Sequence, residues 1–382
     1  MANEKKTVRE PSFILALVPI VAMIGFMLYC FRGHSETGYH DAHLPLVMSI
    51  IVACIVGFIC GHSFQEMLAG MVERLAASME AVLILATVGF LVTSFMLSGA
   101  IPTMIVYGLD LLTPKLFLPV GCILCAIVGM ACGSSWTTTA TIGLAFLGIG
   151  AGLGIPAPIT AGMIISGAYV GDKFSPLSDT TNLAAAVAET GLFDHVTAMV
   201  STTGPTLLLS LILYTILGLN VDTSAYDATV AEGIQEAFRS AFTISPILLL
   251  PIIVVIVMCI LRVPGLVGIA VSVATAVVFM LIFQSTDIYY SRSLGDIFDV
   301  LHYGHAVETG NAVADSILGK AKGMDGMMWT INLILVALAY GGALERCGCI
   351  EKLFGGLKHK IHSVGSLILA TLLTSIFCDA TM

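Results

Sequence analysis

Long apolar runs alternate with short polar ones along almost the whole chain. The apolar runs are Phe13–Phe31, Leu44–Gly61, Ala81–Gly99, Leu116–Cys132, Ile159–Val170, Val196–Leu217, Phe242–Leu261, Leu266–Phe283, Met327–Leu344 and Val364–Phe377. A helix needs about 20 predominantly apolar residues to cross a bilayer, and most of these runs approach that length. Other stretches depart from the pattern. Ser63–Met79 is amphipathic and carries Glu66, Glu73 and Arg74. Gly133–Gly154 is rich in glycine and threonine, and residues 171–182 are polar although apolar residues flank them on both sides. A helical pattern resumes at Leu183. The segments Asn220–Arg239 and Ser285–Asp325 read as polar connections. The pattern predicts an all-α polytopic membrane protein of about 9–11 transmembrane helices, some of them broken or re-entrant.

Two parts of the chain resemble each other. The run from Ala81 and the run from Trp329 both follow an amphipathic segment and both reach a glycine with an isoleucine two residues on, Gly99 with Ile101 and Gly348 with Ile350. A new apolar run then starts in each, VGCILCAIVGMACGSSW from Val120 and VGSLILATLLTSIFCDATM from Val364. Weak internal similarity of this kind predicts inverted repeats. The expected division is a cytoplasmic N-terminus over residues 1–12, a first repeat over 13–219, a polar linker over 220–241 and a second, incomplete repeat over 242–382. The first copy continues into 133–182, whereas the sequence stops at Met382, about where the counterpart of Gly133 would begin. The expectation is a C-terminally truncated form.

Composition agrees with a membrane protein. Apolar residues make up 57% and charged residues 11%, with a mean hydropathy of +0.99; a soluble domain carries about 25% charged residues. The net charge of −9 argues against nucleic acid as a partner, since such binders are basic. Lys5, Lys6 and Arg9 precede the first run, and Arg32 with Glu36 and Asp41 follows it. That bias predicts a cytoplasmic N-terminus for a multi-pass membrane protein. The first run lacks a cleavage site followed by a polar chain, so it reads as a helix and not as a signal peptide. The ten cysteines do not form a disulfide framework. Cys122 and Cys125 form a C-x-x-C without a second pair at zinc spacing, so these two, like Cys347 and Cys349, read as packing residues. The sequence has no P-loop, and ATP-driven transport lacks support.

The chemistry-bearing stretch is 171–182. Gly171 and Pro176 are poor in a helix interior, and non-helical backbone at membrane depth must line a cavity or be buried in protein. A break there frees carbonyl oxygens. Ser175, Ser178, Thr180, Thr181 and Asn182 add neutral oxygens, and Asp172 and Asp179 add carboxylates that suit a hard cation such as Na+. Breaks of this type bind coupling ions in transporters. Desolvation disfavours the charged form of a carboxylate, so such a group can take a proton when Na+ leaves and release it when Na+ binds. Lys173 is either a surface partner of Asp172 or a fixed charge that balances an aspartate while the ion is absent. The plainer alternative is an aqueous loop with Asp179 or Thr180 capping the next helix.

The run Gly133–Thr141 also has two readings. Small residues and threonines let membrane helices pack closely. Alternatively, the run is a support of the ion site, with Gly133 beside Ser134, Ser135 and Thr137, whose hydroxyls face Asp172 or Asp179. Elsewhere, His40-x-x-His43, with His34, is either a metal pair or a solvated loop. His302, His305, Glu308 and Asp315 read as a solvated face. Glu345 and Asp110 are each either a pathway acid or an interface residue.

The runs GSSWTTTATIG, GMIISGAYVGDKFSPLSDTTNLAA and WTINLILVALAYGGALE resemble the NhaC family of bacterial Na+/H+ antiporters, part of a broader ion-transporter superfamily with inverted repeats. The resemblance extends from about Pro11 to Phe377. It implies a secondary transporter and not an enzyme, with no cofactor beyond the transported Na+ and H+, and with the ion site in 171–182, where Asp172 and Asp179 carry Na+ and the proton. Some members exchange organic acids such as malate and lactate, which is the alternative expectation. Members typically continue through a second polar re-entrant segment beyond this point, so an inactive truncated homologue is a third. The expected partners are sodium ions, protons or a small organic acid, and the lipid bilayer, with room for a homodimer.

Overall fold

The computed structural model describes residues 8–31, 41–175, 178, 180–181, 184–185, 188, 190–220, 228–261, 263–285, 293–319, 321–358 and 363–381. Every regular element among them is a helix. In chain order these are α1 (Phe13–Phe31), α2 (His43–Ile59), α3 (Phe64–Ala77), α4 (Met79–Leu97), α5 (Ala100–Leu111), α6 (Pro114–Cys132), α7 (Ser135–Thr138), α8 (Leu144–Gly152) and α9 (Ala157–Phe174). There follow α10 (Leu192–Leu219), α11 (Ala228–Ala241), α12 (Leu250–Ile260), α13 (Gly265–Phe283), α14 (Leu294–Tyr303), α15 (Ala312–Leu318), α16 (Asp325–Arg346), α17 (Cys349–Lys358) and α18 (Val364–Thr381).

Among the described residues, four helices are long and apolar enough to cross a membrane: Phe13–Phe31, Leu192–Leu219, Leu266–Phe283 and Asp325–Arg346. The number rises to six if each of two bent helix pairs is one span, and shorter apolar helices accompany them at His43–Ile59, Ala100–Leu111 and Pro114–Met130. Two apolar runs therefore begin at a bend. The run Phe242–Leu261, for example, opens with a tight 3-10 turn, Pro246–Leu249, and lies at 91° to the helix before it.

The chain divides into two compact units. The first comprises Met1–Leu83 and Met328–Met382. In it α1 packs along α2 and α17 packs on α1. α3 opens with a capping box: Ser63 Oγ accepts from the Glu66 amide at 3.3 Å, and the Glu66 carboxylate accepts from the Ser63 amide at 2.8 Å. Two orphan amides are thereby satisfied. α3 and α16 cross at Gly70 and Gly342, where a Cβ on Gly342 would lie 2.6 Å from the Gly70 carbonyl oxygen. Met23, Leu46, Met67 and Leu344 fill the surrounding core.

At the start of α2, Asp41 gathers three donors. It accepts from the His43 amide at 3.1 Å, from the His43 ring and from Trp329 Nε1 at 3.1 Å. His43 Nε2 lies 3.2 Å from the Trp329 carbonyl oxygen. His43 thus joins the start of α2 to α16; His34 and His40, the other histidines of that expected cluster, lie outside the described residues. The His43 hydrogen bond holds the Asp41 carboxyl down at about 2, against an ordinary 3.8. A depressed carboxyl pKa contributes stability that is complete above the unfolded value and lost as pH falls through the folded one. The Asp41–Trp329 link should therefore loosen between pH about 4 and about 2. Trp329 fluorescence in a Trp136→Phe background reads it, and Asp41→Asn should abolish the step.

The second unit is Ile84–Met327. Phe95, Phe117 and Phe238 are fully buried in it, and Phe117 meets Phe146 edge-on at 5.9 Å between ring centres. The polar linker expected over 220–241 contains a helix, α11. Its buried side chains, Ala231, Ile234, Ala237 and Phe238, recur at helical spacing and pack it against α5 and α15. Likewise the connection Ser285–Asp325 contains α14 and α15. Gln284, 3% exposed, ties three helix ends together. Its amide donates to the Ser98 carbonyl at 2.9 Å and to the Thr243 carbonyl at 3.3 Å, and its oxygen accepts from the Thr243 amide at 3.0 Å. These groups sit where α4 stops at left-handed Gly99 and where the chain bends after α11, so the side chain satisfies backbone groups that the breaks leave open.

Candidate functional site

The site is carried by α6 and α9, which pack extensively along each other. Their contact is lined by small residues. A Cβ on Gly167 would lie 2.3 Å from the Cys122 carbonyl oxygen, one on Gly171 2.2 Å from that of Ala126, and one on Gly129 2.7 Å from that of Ala168. The two backbones touch. Within a membrane, helices associate by such close packing, because lipid is as apolar as the side chains it would displace. Cys122 and Cys125 are fully buried in this contact, the packing role expected of them. The signal missed in the sequence is Gly167-x-x-x-Gly171 on α9 facing Cys125 and Gly129 at four-residue spacing on α6.

α9 ends at Phe174, and Asp172 lies in its last turn with 6% of its surface exposed. Ser175 turns into extended backbone while its amide still donates to the Asp172 carbonyl at 3.1 Å. The chain then folds back. Thr181 Oγ1 donates to the Asp172 carbonyl at 3.3 Å and to the Lys173 carbonyl at 3.4 Å. Ser178 Oγ accepts from the Thr181 amide at 3.3 Å and lies 3.0 Å from Thr180 Oγ1. Ser175, Ser178 and Thr181 are buried, Lys173 is half-buried and Thr180 is exposed. The break expected after Gly171 is present, and a hydroxyl from the returning chain covers the carbonyls it frees. Asp179, Pro176 and Asn182 lie outside the described residues.

The neighbouring run is also a break. Gly133 ends α6 at φ +64, a left-handed conformation that favours glycine. Ser134 then caps α7, accepting from the Thr137 amide at 3.2 Å and from Thr137 Oγ1 at 3.1 Å. α7 continues into a single π turn, Thr139–Gly143, before α8; π turns inside helices recur at functional sites. Thr138 and Thr139 donate to the carbonyls four residues back, at 2.9 and 2.8 Å. Both α7 and the π turn pack against α9. The structure thus brings 133–141 beside the helix that carries Asp172, with Ser135 and Thr137 buried. Ser134 and Thr137 bond to each other and to local backbone.

The remaining candidates lie elsewhere. Asp110 is half exposed, accepts from Gln235 at 2.8 Å and lies 3.8 Å from Arg239; it fastens α5 to α11. Asp315 accepts from the amide and hydroxyl of Thr309, both at 2.7 Å, which holds its carboxyl below the usual range. His302 lines a cavity with Phe90 and Asp299, and burial pushes the His305 ring below its ordinary value. In the first unit, Glu345 lines a cleft of about 480 Å³ with His62, Glu73 and Arg74. Among the described residues, no three metal-ligating side chains converge on a point.

Residues 167–382 match a family profile described as the Na+/H+ antiporter family. The Na+/H+ antiporter NhaC of Alkalihalophilus pseudofirmus is 35% identical over 336 residues, 88% of this chain and 71% of that protein. The arginine/ornithine antiporter ArcD of Halobacterium salinarum is 34% identical over 375 residues, 97% of this chain and 75% of that one. A malate-2H+/Na+-lactate antiporter of Bacillus subtilis is 31% identical over 374 residues, 98% of this chain and 78% of that one. No solved structure matches.

Proposed function

The chain belongs to the Na+/H+ antiporter family, and we propose on that premise that it exchanges Na+ for protons at the helix break following Asp172. It is a multi-pass membrane transporter and not an enzyme. The observation that carries the reading is a buried carboxylate on the last turn of a helix whose freed carbonyls are met by Thr181. Hard oxygen donors of this kind suit Na+, and half-helix C-terminal ends attract cations. Asp172 holds either the ion or a proton, so binding of one releases the other. Ser175, Ser178 and Thr181 supply neutral oxygens, and Asp179 is the second carboxylate of the same segment. Lys173 balances the aspartate charge when the ion is absent.

Everted membrane vesicles with a pH-sensitive dye test this reading. Adding Na+ should discharge a preformed proton gradient, and failure of Na+ to do so would overturn it. A second reading is exchange of an organic acid, with Lys173 holding a substrate carboxylate. It is supported by Lys173 standing beside Asp172 and by the malate/lactate antiporter among the relatives. Labelled malate and lactate in the same vesicles separate the two, because gradient-driven uptake of either acid would replace the first reading. In both readings the N-terminus faces the cytoplasm.

A further inference from the structure

The turn between α16 and α17 reads Cys347-Gly348-Cys349. Both cysteines are buried, at 1% and 0% exposure, and their sulfurs lie 3.1 Å apart. Gly348 adopts φ +73. That left-handed conformation brings two cysteines separated by one residue onto the same side of the turn, and a side chain there would be strained. A disulfide bond is about 2.05 Å long, so closure needs a movement of about 1 Å.

One member of the pair borders a cleft. A cleft of about 620 Å³ opens at this turn, and Cys347 and Gly348 form part of its wall with Arg9, Glu345, Arg346 and Lys352. The Cys347 thiol lies 3.3 Å from the Leu344 carbonyl and 3.1 Å from the Cys349 sulfur and can donate to either. That second contact holds Cys347 below the ordinary thiol range and pushes Cys349 above it. Cys347 borders the cleft and Cys349 does not, which makes Cys347 the attacking thiol and Cys349 the resolving one. Apolar neighbours, among them Cys60, Tyr340 and Ala343, surround the pair on its inner side.

We propose that Cys347 and Cys349 are a reversible dithiol–disulfide pair that reacts with small disulfides entering this cleft. The Cys347 sulfur attacks one sulfur of the incoming disulfide; the S–S bond breaks, and one thiolate leaves and takes up the Cys347 proton. Cys349 then attacks Cys347, and the second thiolate leaves with the Cys349 proton. Two protein thiols are oxidised, and one small disulfide is reduced to two thiols. The new bond closes the turn that follows the membrane-crossing helix α16.

The test uses the full chain in membranes, hydroxyethyl disulfide as the probe, and mass spectrometry of the peptide containing residues 347–349. The wild type should lose about 2 Da from that peptide, regain it with dithiothreitol, and lose two alkylatable thiols. Cys349→Ser should instead accumulate the mixed disulfide on Cys347, and Cys347→Ser should acquire neither product at a comparable rate. The proposal is overturned if both cysteines of the wild type stay alkylatable while half-buried Cys30 reacts. It is equally overturned if Cys347 pairs with Cys54 or Cys60, or if Cys349→Ser traps no adduct. Because the first measurement uses the unaltered protein, a variant that fails to fold does not decide the matter.

Discussion

Asp172→Asn should reduce Na+-driven proton movement in everted vesicles to the background of membranes without the protein. Removing one partner of a buried charge pair costs about 3–5 kcal/mol, and each 1.4 kcal/mol is a factor of ten in affinity. The apparent Na+ affinity should therefore fall by at least about a hundredfold, and the exchanged proton loses its carrier as well. The substitution is close to isosteric, and it leaves the local fold alone, since Thr181 bonds the backbone carbonyl of Asp172 and not its side chain. The melting temperature in detergent should accordingly stay near that of the wild type while transport is lost. Asp172→Glu keeps the charge but moves it by one methylene, so some exchange should survive at weakened Na+ affinity. Full exchange in the asparagine variant would move the proton carrier to another carboxylate, with Asp179 the first to examine.

Gly171→Leu should prevent stable folding of the second compact unit. Inserting carbon into a packed core typically costs 1–3 kcal/mol, occasionally more. Here even the first added carbon lands 2.2 Å from the Ala126 carbonyl oxygen and 2.7 Å from the Met130 amide nitrogen. Backbone cannot rotate aside as a side chain can, so α6 and α9 would have to separate along their whole contact. The expected cost exceeds about 3 kcal/mol, read as loss of monodisperse protein in detergent and a large fall in melting temperature. Gly162→Ala on the same helix is the control. Its nearest neighbour is the Tyr214 hydroxyl at 3.4 Å, and it should be almost neutral. Equal behaviour of the two variants would refute a backbone contact at Gly171.

How legible each feature was depended on which physical signal carried it. The first span was readable to the residue, because Phe13–Phe31 is uniformly apolar with polar residues on both sides. The break after Gly171 was readable because helix-poor and polar residues interrupt an apolar run there. α11 was hidden by its own amphipathicity. Glu232, Gln235, Glu236 and Arg239 made 220–239 look like a loop, although Ala231, Ile234 and Phe238 keep helical spacing beneath them. The α6–α9 contact was hidden differently. Its residues are small and chemically silent, and only a facing pair of four-residue spacings announces it. The roles of Ser134 and Thr137 were ambiguous because a hydroxyl suited to a cation is equally suited to cap a helix, and capping is where their bonds go.

The backbone contact between α6 and α9 also restricts how the carboxylate can be presented first to one side of a membrane and then to the other. A helix held by long side chains can slide or rotate while those side chains change rotamer. A helix seated glycine against carbonyl has no such slack. Asp172 follows directly after Gly171, so any stroke that carries it must carry α6 as well. On the proposed exchange reading, the unit to move is the pair and not the single helix.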